Sequence, residues 1–269
     1  MAKRKKYTLI AGVIITLVLV AGVATAYWRH DISRTVERAS LPEEIAYQEV
    51  AEVKATPNPA PAATPTVKPA SNTKASPTSL PAEVNLAVPF TPQAPHANWE
   101  DPYGELCEEA SVLMAISYIR GEKIPNPDIA NTKLLEIKAF EDKRFGYYKD
   151  TTAAETAIIF KEFYTYDKVQ LLEKPTVQDI RAALAAGKLV IVPAAGRMLA
   201  NPYFQTPGPL YHMLVIKGYT DDGKFITNDP GTRRGADFLY TQENVMNAIH
   251  DWHGDEHIER GRQVVIVVG

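Results

Sequence analysis

Hydropathy divides the chain into three stretches of different character. Residues 7–28 are 22 consecutive side chains without a charge, directly behind Lys3, Arg4, Lys5 and Lys6. About 20 apolar residues at 1.5 Å rise span a bilayer core. Tyr7 and Trp28 stand at the two ends, where aromatic rings favour the interface. The pattern predicts a membrane-spanning signal-anchor helix over 7–28, a cytoplasmic basic tail over 1–6, and everything after Trp28 outside the cytoplasm. The rival is a cleaved secretory signal with Ala24-Thr25-Ala26 as its cleavage site, although such apolar cores usually run to only about 7–15 residues. Both readings export the rest of the chain. Residues 29–52 are polar, with room for one short helix. In 55–82, Pro, Ala, Thr and Ser make up 22 of 28 residues, with no glycine, aromatic or acid. Such a stretch buries too little apolar surface to offset its ordering entropy. Residues 29–83 are therefore expected to be a disordered extracytoplasmic stalk, kept extended by proline.

Periodic patterning begins at residue 84 and continues to 269, which predicts one globular domain. Apolar positions at Ala110, Leu113 and Met114 recur at helical spacing over Cys107–Arg120, and Gly121 stops that helix. Further helices are expected over Ile129–Phe140, Thr151–Tyr164, Val177–Ala186 capped by Thr176, and Thr241–His250. Strands are expected over Leu189–Pro193, Tyr211–Tyr219, Lys224–Asn228 and Gln263–Val268, the middle two joined by the turn Asp221-Asp222-Gly223. Helices first and antiparallel strands after them make an α+β pattern.

Charge narrows the partners. The whole chain carries a formal −3, and residues 84–269 hold 19 basic against 25 acidic side chains. Nothing here is a basic footprint for nucleic acid. His250 to His257 packs three histidines and three acids into eight residues, but Gly254 interrupts it and no His-Glu-x-x-His spacing exists. No metal or other cofactor is expected. The single cysteine, Cys107, excludes an intrachain disulfide and a Cys-rich zinc site.

That thiol is the candidate for chemistry. Cys107 opens a helix, whose N-terminus favours a thiolate, while Glu108 and Glu109 beside it oppose one. A base is needed, and His212, at the start of an apolar strand, is the best placed. Asp229 ends the next strand and can orient the imidazole. A tight turn at 221–223 pairs residue 212 with about 232, so a bulge or diagonal contact is required, and Asn228 is the fallback. Gln93 lies 14 residues before the thiol in an extended, proline-pinned segment, where its amide can donate to an oxyanion beside the Cys107 N–H.

The strings Val-Pro-Phe-Thr-Pro-Gln-Ala-Pro (88–95), Cys-Glu-Glu-Ala-Ser (107–111), Tyr-His-Met-Leu-Val-Ile-Lys-Gly-Tyr (211–219) and Asn-Asp-Pro-Gly (228–231) together resemble cysteine peptidase family thirty-nine. These are the bacteriocin-processing, double-glycine peptidases and their stand-alone relatives. The resemblance covers residues 84–269. It implies a papain-like cysteine peptidase fold with Cys107 as nucleophile, His212 as base, Asp229 as orienter and Gln93 as oxyanion donor. Two departures stand out. Many members carry Gly-Pro after the cysteine, where this chain has Glu108-Glu109, and the exporter-type members are fused to a transporter. The implied protein is a monomeric, membrane-tethered cysteine peptidase acting on a peptide or protein, cell-wall peptides included. Two alternatives remain: a cell-wall amidase or transpeptidase-like acyltransferase on the same fold, and a non-catalytic stalked binding module.

Overall fold

The structure, a computed structural model, describes residues 32–47 and 80–269. The expected membrane span at 7–28 and most of the expected stalk lie outside these residues. Among the described residues, no helix is long and apolar enough to cross a membrane. The chain divides into two compact units at Leu41/Pro42. The described part of the first is a short helix over residues 32–39.

The second unit is an α+β domain built on one seven-stranded antiparallel sheet. Its strands are β1 (Val84–Asn85), β2 (Val169–Glu173), β3 (Leu189–Ala195), β4 (Tyr211–Tyr219), β5 (Lys224–Asn228), β6 (Phe238–Thr241) and β7 (Val264–Val268). They run in the order β2-β7-β3-β4-β5-β6, with β1 paired to β4. Strands β3, β4 and β7 are buried along their whole length, which explains their unbroken apolar runs. The helices are α1 (Cys107–Arg120), α2 (Pro127–Phe145), α3 (Ala153–Ile158), α4 (Val177–Ala185) and α5 (Gln242–Ala248).

Helix α1 packs on β4 and is the core helix. Cys107 to Tyr118 are all buried, so it has no solvated face, and its polar side chains Glu108, Glu109, Ser111 and Ser117 are buried with the rest. It ends at Gly121, whose left-handed backbone (φ 65°) turns its N–H back to Ser117 and Tyr118. The expected helix over Thr151–Tyr164 divides into α3, with a capping box between Thr152 and Glu155, and a π-turn over Ile159–Phe163.

Strand register decides where the site residues point. Near the turn, Tyr219 faces Phe225 and Gly218 faces Ile226. Beyond Lys217 the pairing slips by one, so Ile216 faces Thr227 and Val215 faces Asn228. Lys217 is thus the extra residue of a β-bulge. Continued through the slip, Asp229 stands opposite Leu214, one diagonal step from His212 on the same face. Without the slip, Asp229 would oppose Val215 and face away from His212. Gly218 lets the bulge lie against β1, because a Cβ there would meet the Val84 carbonyl oxygen at 2.2 Å.

The domain also takes in residues expected to belong to the stalk. Ile45 bridges Leu86, with hydrogen bonds from Ile45 N–H to the Asn85 carbonyl (2.8 Å) and from Ala87 N–H to the Ile45 carbonyl (2.9 Å). Asn85 donates to the Pro42 carbonyl at 2.9 Å, and the Tyr47 ring meets Tyr118 edge-on at 5.4 Å. Lys217 is 1% exposed and pairs with Glu44 and, at 2.8 Å, with Asp237. Tyr219 donates to the Pro81 carbonyl at 2.9 Å. These contacts are long-range pairings with the sheet, which local composition does not encode.

Replacing Gly218 with alanine is expected to cost about 1–3 kcal/mol in chemical denaturation, because β1 or the bulge must move to admit the methyl group.

Candidate active site

The site grows from the first turn of α1. A single 3₁₀ turn over Tyr103–Glu105 and Leu106 deliver the chain to Cys107, and no side chain caps the helix. Cys107 is 6% exposed, and its thiol donates to Glu108 Oε2 at 3.0 Å. Burial first, and then the Glu108 carboxylate, hold the thiol well above its usual range.

Behind Glu108 lies an acidic interior. Glu108, Glu109 and Glu141 are at most 1% exposed. Glu109 and Glu141 interact directly, and Thr151 donates to Glu141 Oε1 at 3.3 Å. Two carboxyls in contact away from water are accommodated by sharing a proton. Burial, reinforced by neighbouring carboxylates, pushes Glu108 and Glu109 well up and Glu141 to about 8.

The second half of the site comes from β4 and the end of β5. His212 Nε2 lies 2.8 Å from Asp229 Oδ1, and both side chains are buried. Asp229 Oδ1 also accepts from Gly231 N–H (2.9 Å), while Oδ2 accepts from Asn201 Nδ2 (3.0 Å) and Tyr240 O–H (2.6 Å). Burial pushes this carboxyl up, but the imidazole and the other donors outweigh it and hold it below the usual carboxylate range. An ionised Asp229 accepts the hydrogen bond from Nε2–H, which leaves Nδ1 as the nitrogen turned away from the carboxylate. The ring is also fixed by the edge of Phe204 at 5.2 Å. Gly231 passes close above it, where a Cβ would meet His212 Cε1 at 2.8 Å.

Cys107 and His212 line one cleft of about 470 Å³, with Gln93, Trp99, Glu108 and Gly231 on its walls. The four expected residues are thus brought together, with differences of detail. Asp229 rather than Asn228 reaches the imidazole. Asn228 faces away, donating to the Val88 carbonyl at 3.1 Å and accepting from Asp237 N–H at 3.2 Å. The thiol's hydrogen bond goes to Glu108, not to His212. Gln93 does not aim its amide hydrogens at the cleft. They go to the Tyr103 and Gly104 carbonyls at 3.0 and 2.8 Å, and its Oε1 is buried without a donor. In this geometry Gln93 braces the 3₁₀ turn that presents Cys107. Asn201 and Tyr240, which clamp Asp229, stand far from it in sequence and belong to no motif. Glu108 was visible beside the thiol, but not its role as the thiol's acceptor.

A thiol at a helix N-terminus sharing a cleft with a carboxylate-held imidazole is the arrangement of a cysteine peptidase-type site. The chain belongs to the Peptidase_C39 like family, whose model matches residues 85–254 and so spans every residue named above. Among solved structures it is similar to a Bacillus anthracis protein whose crystal structure carries the description C39-like peptidase. The identity is 17%, the match covers 70% of this chain and 98% of that one, and the TM-score is 0.46. No curated protein matches the chain.

The raised carboxyls fix a pH dependence of stability. Unfolded glutamates titrate near 4.3, so between that value and about 8 the native state binds more protons than the unfolded chain. Their contribution is complete below about pH 4.3 and is lost as pH rises toward 8. The melting temperature is expected to fall between pH 5 and pH 8, and Glu141→Gln, which cannot titrate, to flatten that fall.

Proposed function

We propose that this chain is a membrane-tethered, extracytoplasmic cysteine peptidase that hydrolyses peptide bonds through Cys107, His212 and Asp229. The observation that carries the reading is the shared cleft, which is lined by a thiol at the start of α1 and by His212, itself held from behind by the buried Asp229.

The resting thiol is protonated and held by Glu108. A substrate carbonyl arriving at the helix N-terminus draws the sulfur into attack while His212 Nδ1 takes its proton. A C–S bond forms, and the oxyanion is met by the Cys107 N–H and the helix dipole. Gln93 adds a second donor by turning one amide hydrogen away from the Tyr103 or Gly104 carbonyl. As the C–N bond breaks, the imidazolium gives its proton to the leaving amine. A water then attacks the thioester, its proton passing to His212 and on to the departing sulfur. Asp229 keeps the imidazole in the productive tautomer and balances its positive charge.

Internally quenched peptides report turnover by the full chain in non-ionic detergent. Cys107→Ala is expected to abolish it, His212→Ala to lower kcat by about 10³-fold or more, and Asp229→Ala by about 10²–10⁴-fold. Turnover that survived Cys107→Ala would overturn the reading.

The tether rests on the uncharged run 7–28 behind four basic residues. The protein is expected to stay with the membrane pellet after alkaline carbonate extraction, and protease added to intact cells is expected to remove its catalytic domain.

A further inference from the structure

We propose that the Cys107 cleft takes a cationic substrate side chain, an ammonium or guanidinium, against a wall formed by Glu105, Glu108 and Asp150. This rests on the peptidase reading and adds a substrate class to it.

Among the described residues, the carboxyl and basic side chains lining the cleft besides His212 are Glu105, Glu108 and Asp150, with no lysine or arginine. Lys149, next to Asp150 in sequence, is engaged by Asp101. The Glu105 and Asp150 carboxylates accept no hydrogen bond within the described residues, although both are partly buried. Burial and the Glu105 charge push Asp150 up to about 6. The independent observation is Glu108. It is 1% exposed, it lines the cleft, and its Oε1 has no donor while Oε2 holds the thiol. Burial pushes Glu108 up, so the charge on the wall is carried by Glu105 and Asp150; a buried carboxyl oxygen without a donor is still costly, and the N–H of a cation entering the cleft would supply one.

The positive charge is on the other side. Arg233 and Arg234 line an adjoining cavity of about 480 Å³, which shares Trp99, Gln205 and Gly231 with the first. The thiol's cleft is thus lined by acidic side chains, and the basic ones line the cavity adjoining it. Trp99, common to both cavities, offers an apolar wall for the aliphatic stem of a long basic side chain.

The single cysteine makes this measurable without any substrate. Methanethiosulfonates form a mixed disulfide with the thiolate and release a sulfinate, so a cationic trimethylammonium-ethyl reagent, an anionic sulfonato-ethyl reagent and a neutral methyl reagent can be compared at Cys107 by mass. With each rate normalised to the same reagent on a free thiol, the cationic reagent is expected to outpace the anionic one by about tenfold. In the double variant Glu105→Gln, Asp150→Asn the ratio is expected to approach one, with the neutral reagent unchanged as a check on the fold. In parallel, quenched peptides differing only in Lys, Gln or Glu beside the scissile bond are expected to rank in that order in kcat/KM, and the double variant to flatten the ranking. A labelling ratio near one in the wild type, or a ratio the double variant does not alter, overturns the subsite. So does cleavage indifferent to the charged position. Charge-selective labelling without cleavage of any peptide supports the subsite and sinks the peptidase reading instead.

Discussion

The bulge at Lys217 is the constraint on which the site depends. Side chains alternate along a strand, so a single extra residue exchanges the two faces of everything beyond it. Here it carries Asp229 from the face of Val215 to the face of His212, and the imidazole gains its carboxylate. The bulge has its own requirements. Its extra residue is a lysine with almost no exposure, and a buried ammonium is tolerable only when paired. Glu44 and Asp237 supply the counter-charges from opposite directions in sequence. Gly218 provides the clearance for β1 beside it. The position of one functional carboxylate is therefore set by a charge cluster and a glycine that touch neither the thiol nor the imidazole.

The same domain treats its carboxyls in opposite ways. Asp229 is surrounded by donors from Gly231, Asn201, Tyr240 and His212, and stays ionised where it orients the ring. Glu109 and Glu141 have few donors and resolve their burial by holding protons. Glu108 is pushed up by burial as they are and also meets the thiol, so the helix N-terminus that favours a thiolate is opposed by the residue next to it. Burial and Glu108 together hold Cys107 as a thiol, and in the proposed reaction its activation falls to His212.

Strong local signals made part of this legible from the sequence. Helix α1 and strands β4 and β5 have the boundaries their periodicity and their turn residues, Gly121 and Asp222-Gly223, imply. Cys107 and His212 stood out as candidates from their positions and from the motif resemblance, and spacing called for a bulge or a diagonal contact between His212 and Asp229. Strands β1, β2 and β6 did not, because two to five residues of half-buried pattern carry little information and their pairing is decided by distant partners. The orientation of Gln93 depends on two backbone carbonyls ten and eleven residues away, and the clamp on Asp229 on side chains from elsewhere in the fold. Such contacts exist only once the chain has closed.

The seating of Pro42–Tyr47 on the sheet changes what scission of the chain would mean. Whatever lies N-terminal to residue 42 is joined to the catalytic domain twice, once covalently through residues 48–79 and once through the Ile45 bridge, the Lys217–Glu44 pair and the Tyr47–Tyr118 ring contact. A proteolytic nick between 48 and 79 cuts only the first connection. The two fragments then part by dissociation, at a rate set by salt, pH and temperature rather than by the protease. Separation of the two fragments becomes a two-stage event, in which the cut licenses release and the unseating of a six-residue peptide times it.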